Sequence, residues 1–348
     1  MPRARSRSGE HRSGGEAVTQ RILITGGAGF IGFHLARHLK SAGHEVCLAD
    51  NHVRGVRDSD FLQLVSDRQA FSVEVDLLDP GDAMSLGENF DVIFHLAAII
   101  GVRHVQERPY DVLVHNTRML ENVISLAQRQ QPSCRLLFAS TSEIYAGTLK
   151  HFGLSTPTSE ETALTVTALD LPRTSYMLSK IMGEAMVQHS GVPFTIFRPH
   201  NIYGPRMGLA HVIPEQLKNA FNAAPGDAIP VFSPKHRRAF CFVDDAVEIL
   251  ARMAFSEVCQ GATLNLGAQT PEVSIRELVQ MCIEVSGKTL TLNELPSTPG
   301  SPERRAPDMR ATAKLLDYEA KVGLRDGVSR TWNWYRDNVF ATDGLTAQ

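Results

Sequence analysis

Cysteine is scarce. The chain has five in 348 residues, Cys47, Cys134, Cys241, Cys259 and Cys282, an odd number with no C-x-x-C pair. That spacing excludes a disulfide framework and a structural zinc site, and it fits a reducing cytoplasm. Long apolar runs are missing as well: no stretch of about 18 apolar residues occurs, so no membrane-spanning helix is expected. An excess of positive charge is also absent, because the formal net charge is -3 at pH 7, and nothing supplies the basic field that nucleic acids require. The histidines do not cluster. His34 and His38 share a helical face but lack a third ligand, so no metal site is expected. What is present is a chain 43% hydrophobic, long enough for one large or two coupled domains and best suited to small-molecule chemistry. Residues 1–20, with Arg3, Arg5, Arg7 and Arg12 among Ser and Gly, read as a disordered tail, and Glu10 and Glu16 count against a targeting segment.

Regular pattern begins at Arg21. "RILIT" is a short apolar strand that runs into "GGAGFIGFHLARHLKSAGH", whose Phe30, Ile31, Leu35 and Leu39 follow helical spacing. Gly26, Gly29 and Gly32 recur every third position in the turn between them, which suits a chain that turns sharply, approaches a pyrophosphate and packs a helix on a sheet. A second strand, "EVCLAD", ends in Asp50, eighteen residues after Gly32. An acid there accepts hydrogen bonds from an adenosine ribose and repels a 2′-phosphate, favouring NAD over NADP, while Arg54 and Arg57 lie close enough in sequence to keep NADP open. "FSVEVDLLD" reads as a third strand ending near Asp76, "FDVIFHLAA" as a fourth ending at Ala97 and Ala98, and "CRLLFAST" as a fifth ending at Thr141. Repeated β-α-β units of this kind predict an α/β, doubly wound parallel sheet (a Rossmann fold) with its ligand at the strands' carboxyl ends.

The segment "STSEIYAGTLKHFGLSTPTSEETALTVTALDLPRT" reads as too irregular for an element and long enough to cover a substrate. A helix follows, bounded by Pro172 and Gly191, on which Tyr176 and Lys180 share a face at four-residue spacing. A tyrosine acts as acid or base near neutrality only if its pKa falls from about 10 towards 7, roughly 4 kcal/mol at about 1.36 per unit, and a nearby ammonium can supply part of that.

"TGGAGFIG", Asp50, "HLAA", "STSEIY" and "YMLSK" together resemble the extended short-chain dehydrogenase/reductase family, specifically its nucleotide-sugar epimerases and dehydratases. "FTIFRPHNIYGPRMG", "HRRAFCFVDDAVE", "LNLGAQTPEVSIRELV" and "RRAPDMRATAKLL" extend the resemblance from about 21 to 336. It implies NAD held by Gly26, Gly29, Phe30, Ile31, Gly32, Asp50, Asn51, Asp76, Leu77, Ala97, Tyr176 and Lys180. Tyr176, Lys180, Thr141 and Glu143 would be catalytic, and Asn201, Arg238 and Arg305 would contact a nucleotide-diphosphate sugar. A homodimer formed through helices around 106–128 and 174–189 is implied as well. The expected domains are a Rossmann unit over 21–198, with 236–256 returning to it, and a smaller mixed α/β substrate domain over 199–235 and 257–340.

In such an enzyme a transient 4-keto sugar forms. The expected reaction is inversion at C4, a UDP-sugar 4-epimerase. Glu143 keeps open the alternative of C5 chemistry, in a dehydratase or a UDP-glucuronate decarboxylase. A non-catalytic NAD-sensing protein and a dehydrogenase releasing NADH each turnover are the readings from other classes.

Overall fold

The structure, a computed structural model, describes residues 19–297 and 301–341. The tail expected over 1–20 lies outside the described residues up to position 18, whereas Gln20 is already fixed, its carbonyl accepting the Glu45 N–H at 2.9 Å. Six strands, β1 (Arg21–Thr25), β2 (Glu45–Asp50), β3 (Ala70–Glu74), β4 (Val92–His95), β5 (Arg135–Ala139) and β6 (Phe194–Pro199), join a seventh, Thr263–Leu266. Their order is Thr263–Leu266, β6, β5, β4, β1, β2, β3, with every neighbouring pair parallel. The doubly wound sheet expected from the sequence is therefore the observed one. The strand order reverses at β1, with β2 and β3 on one side and β4, β5 and β6 on the other, which places a crevice at the carboxyl ends of β1 and β4.

The apolar runs follow from burial on both faces. Ile22 and Ile24 pack into one core and Leu23 into the other, all three at 0% exposure. Helix α1 (Phe30–Ser41) buries Phe33, Leu35 and Leu39 on the first core, and the Pro109–Gln128 helix buries Leu120 and Val123 on the second.

Three details differ from the sequence reading. β3 ends at Glu74, leaving Asp76 exposed two residues beyond it. The segment after β5 contains elements after all, a 3-10 turn at Ser142–Tyr145 and a helix at Ala146–Phe152. That helix is held by the Thr148 hydroxyl donating to Ala163 O at 2.5 Å, and a Cβ on Gly147 would fall 1.8 Å from Thr165 O. Thr263–Leu266, which the sequence reading put within the 257–340 substrate unit, is a strand of the main sheet.

The C-terminal strands are short. Arg237–Ala239 lies between Glu272–Ser274 and Arg304–Arg305, and the register sets Arg238 opposite Arg305. The Val243–Phe255 helix packs against α1, with His38 3.5 Å from Glu248. Asn265, fully buried, joins distant parts of the chain. Its N–H donates to Glu160 at 2.7 Å, its amide to Thr158 O at 2.9 Å and Asp308 O at 3.1 Å, and its carbonyl accepts the Thr312 hydroxyl at 2.7 Å.

Candidate active site

The glycine turn has room only for backbone. Gly26 has φ +71°, and a Cβ on it would lie 2.8 Å from Ala97 N; one on Gly32 would lie 2.3 Å from Gly26 O. Gly29 takes the N-cap of α1, whose first residues are Phe30 and Ile31. Asp50, at the end of β2, accepts the N–H of Ala28 at 3.0 Å and of His52 at 2.8 Å, which fixes the acid against the turn. Asn51 and Asp76 are exposed beside it, and Leu77 is buried. Bare backbone at the start of α1 and an acid at the end of β2 are the groups that a dinucleotide's pyrophosphate and ribose require, and these residues fit NAD. The two arginines that kept NADP open are occupied elsewhere: Arg57 pairs with Glu74 at 3.4 Å, and Arg54 donates to Ile100 O at 3.2 Å.

Across the crevice stands the Pro172–Gln188 helix. Lys180, 4% exposed, donates to Ala139 O at 2.8 Å, with its ammonium 5.0 Å from the Phe138 ring centre and 5.9 Å from that of Tyr176. Burial lowers its pKa to about 8, against the raising effect of Glu184. Tyr176 is pushed up to about 12 by burial; a hydrogen bond with the Thr141 side chain and the charge of Arg54 pull the other way, while Glu143 adds to the rise. Thr141, Tyr176 and Lys180 lie together at this end of the sheet, but the Tyr176 pKa rises where the sequence reading expected the nearby ammonium to lower it, because burial outweighs the groups that favour the phenolate. Asn116 ties this helix to the loop after β4, accepting Ile99 N–H at 2.7 Å and donating to the Ser179 hydroxyl at 3.3 Å.

Glu143 sits between two arginines. Arg305 donates to one carboxylate oxygen at 2.9 Å and Arg173 to the other at 3.1 Å. Burial works to raise the Glu143 pKa, but the two guanidinium groups outweigh it and hold it below the usual carboxylate range. Arg238 lies near this group and is pinned by the carbonyls of Arg237 at 2.8 Å and Pro302 at 2.7 Å, and by the Ser301 hydroxyl at 3.0 Å. Burial, and then the charge of Arg305, bring its pKa down to about 10. Asn201 has φ +45° and donates to Ala239 O at 2.9 Å.

Sequence reasoning missed Arg173, although it stands three residues before Tyr176 and so shares its helical face. It also missed Glu184, one further four-residue step beyond Lys180. Glu184 accepts Arg198 Nε at 2.9 Å, Arg198 Nη2 at 2.7 Å and the Ser140 hydroxyl at 2.5 Å. Arg198 in turn donates to the Tyr145 hydroxyl at 2.7 Å and Glu160 O at 2.9 Å, which links the helix to the turn carrying Thr141 and Glu143.

A glycine cradle facing a Tyr-Lys pair and a strand-end threonine defines a dinucleotide-dependent enzyme that acts at a hydroxyl-bearing carbon. Residues 22–267 match the profile of a family described as "NAD dependent epimerase/dehydratase family". The chain is 31% identical over 334 residues, covering 92% of it and 99% of the relative, to the UDP-N-acetyl-alpha-D-glucosaminuronate decarboxylase of Bacillus cytotoxicus. It is 32% identical over 331 residues, 93% of the chain and 74% of the relative, to the UDP-glucuronic acid decarboxylase 1 of Xenopus tropicalis. Among solved structures, a UDP-galactose 4-epimerase superposes with a TM-score of 0.75 at 25% identity, over 92% of this chain and 99% of that one. The chain belongs to the NAD-dependent epimerase/dehydratase family: it is an enzyme of the extended short-chain dehydrogenase/reductase type, and its cofactor is NAD.

Proposed function

We propose that the chain is a nucleotide-sugar decarboxylase that removes the C5 carboxylate of a UDP-linked hexuronic acid through a transient 4-keto sugar. The observation that carries this reading is the double arginine grip on Glu143, since C4 inversion needs no such group. Two curated relatives with about 31% identity over most of the chain are decarboxylases by name, which favours this reaction over the 4-epimerase expected from the sequence.

Bound NAD would accept the C4 hydride and later return it. Tyr176, beside Thr141, would take the proton of the C4 hydroxyl as a phenolate; burial pushes its pKa up to about 12, and the Lys180 ammonium, 5.9 Å from the ring centre, together with the positive charge of a bound nicotinamide would bring it down towards neutrality. The C4 ketone makes the substrate a β-keto acid. The bond between C5 and its carboxylate breaks, carbon dioxide leaves, and the electron pair moves onto the C4 oxygen, where the Tyr176 and Thr141 hydroxyls stabilise the enolate. A proton then adds at C5. Arg305 and Arg173 orient the departing carboxylate, and Glu143, ionised, keeps the two forks in place until substrate arrives. Arg173 is the exchangeable partner, its side chain 54% exposed against 26% for Arg305. Asn201 and Arg238 would serve the diphosphate.

Leu113, Val114, Thr117 and Met182 form a groove on the Pro109–Gln128 and Pro172–Gln188 helices, which supports homodimer assembly there. All five cysteines are buried and unpaired, in keeping with work in a cytoplasm. The division into an NAD-binding unit and a substrate-binding unit is part of the same reading.

The test is proton NMR in D2O with UDP-glucuronic acid and UDP-N-acetylglucosaminuronic acid, without added cofactor. Release of carbon dioxide with deuterium at C5 is the expected result. Inversion at C4 with the carboxylate retained would return the enzyme to the epimerases.

A further inference from the structure

The loop that follows β2 lies directly on the glycine turn. Val56 N–H donates to Ala28 O at 3.3 Å, and a Cβ on Gly55 would meet the Ala28 Cβ at 2.6 Å and Asp50 Oδ1 at 3.0 Å. From this loop Arg54 reaches Ile100 O, beyond β4, at 3.2 Å. β1 lies between β2 and β4 in the sheet, so the Arg54 side chain spans the carboxyl end of β1, where the crevice opens. The other end of the loop is held from the segment that carries Asn201. Arg206 is ion-paired with Asp58 and donates to Val56 O at 3.1 Å, with its guanidinium 3.9 Å over the Phe33 ring of α1. The Arg206 side chain is 3% exposed, and its φ of +70° shows a backbone held by its surroundings. Asp58 has a second duty as N-cap of the Ser59–Leu64 helix, accepting the Phe61 N–H at 2.9 Å.

From this geometry we infer that residues 51–58 are a strap that keeps NAD captive, fastened by Arg54 to Ile100 and latched by Arg206 to Asp58 and Val56. A dinucleotide on the glycine turn lies beneath this loop, so its exit requires both fastenings to open. Because the latch arginine belongs to the Asn201 segment, the substrate side of the cleft helps to close the cofactor side. The strap suits a reaction that begins and ends with the same oxidation state, in which release of reduced cofactor part-way would strand the 4-keto sugar. The inference rests on the NAD dependence of the family and holds for C4 inversion and decarboxylation alike.

The test measures how fast NAD leaves the purified full-length protein, by loading it with NADH, chasing with excess NAD and following the loss of bound fluorescence. Asp58→Asn keeps an N-cap oxygen for Phe61 while weakening the latch, and Arg54→Gln removes the fastening. Each is expected to raise the release rate at least tenfold and to leave protein that needs added NAD for full activity. Arg57→Gln, in the same loop but paired outward with Glu74 at 3.4 Å, is expected to release NADH as the wild type does. Thermal melts with saturating NAD separate release from misfolding. Wild-type protein that loses NADH as fast as Asp58→Asn, or Asp58→Asn and Arg54→Gln proteins that fold and release it within twofold of wild type, overturns the strap.

Discussion

Replacing Arg198 by leucine tests what the buried ion pair behind the active site does. Arg198 and Glu184 are each only 6% exposed, and the guanidinium makes two bonds to Glu184, one to the Tyr145 hydroxyl and one to Glu160 O. Its loss leaves a buried carboxylate with the Ser140 hydroxyl as its remaining partner. Breaking one half of such a pair costs about 3–5 kcal/mol, which at roughly 2–4 °C per kcal/mol lowers the melting temperature by about 10 °C. Substituting Glu184→Met together with Arg198→Leu removes the stranded charge, and about half of the lost stability is expected to return. The rest stays lost because Tyr145 and Ser140 keep unsatisfied hydroxyls, at about 1–3 kcal/mol for each buried group. Differential scanning calorimetry of the single and double variants with saturating NAD makes the comparison. A double variant as unstable as Arg198→Leu alone would refute the reasoning, because the pair would then contribute net stability instead of avoiding a penalty.

Gly32→Ala sets a Cβ 2.3 Å from Gly26 O, and equilibrium dialysis is expected to show NAD affinity falling at least a hundredfold while the far-ultraviolet spectrum is kept. His34, His95 and His200 are each held to a pKa of about 3, chiefly by burial. The unfolded chain therefore binds more protons than the folded one between about 3 and the ordinary histidine value of 6.5. Stability is full above that window and is lost as pH falls through it, which urea titrations at pH 7, 6 and 5 would record as a falling midpoint.

The cofactor half of the site was legible in the sequence because its cues are local. The glycine turn, Asp50 and the Tyr176-Lys180 step each declare themselves within one β-α-β unit or one helix face. The arginine grip was not legible, since Glu143 meets Arg173 across 30 residues and Arg305 across 162, and no periodicity marks such pairs. Thr263–Leu266 is four residues long and carries a polar Asn265, so it lacks the apolar run that announced the other strands of the sheet. The Ala146–Phe152 helix was hidden by its glycine, which is there because Thr165 O leaves no room for a side chain.

Asn265 bears on the order in which the enzyme can be made. Its contact with Glu160 closes a loop of 105 residues, roughly 5–20 seconds of ribosomal synthesis at 5–20 residues per second. Until that asparagine leaves the ribosome, the carbonyl of Thr158 has neither of its donors, Asn265 and Asp308, and β6 stands as an open sheet edge. Arg305 emerges later still, so a nascent chain can complete its cofactor cradle while Glu143 has only Arg173 of its two guanidinium partners.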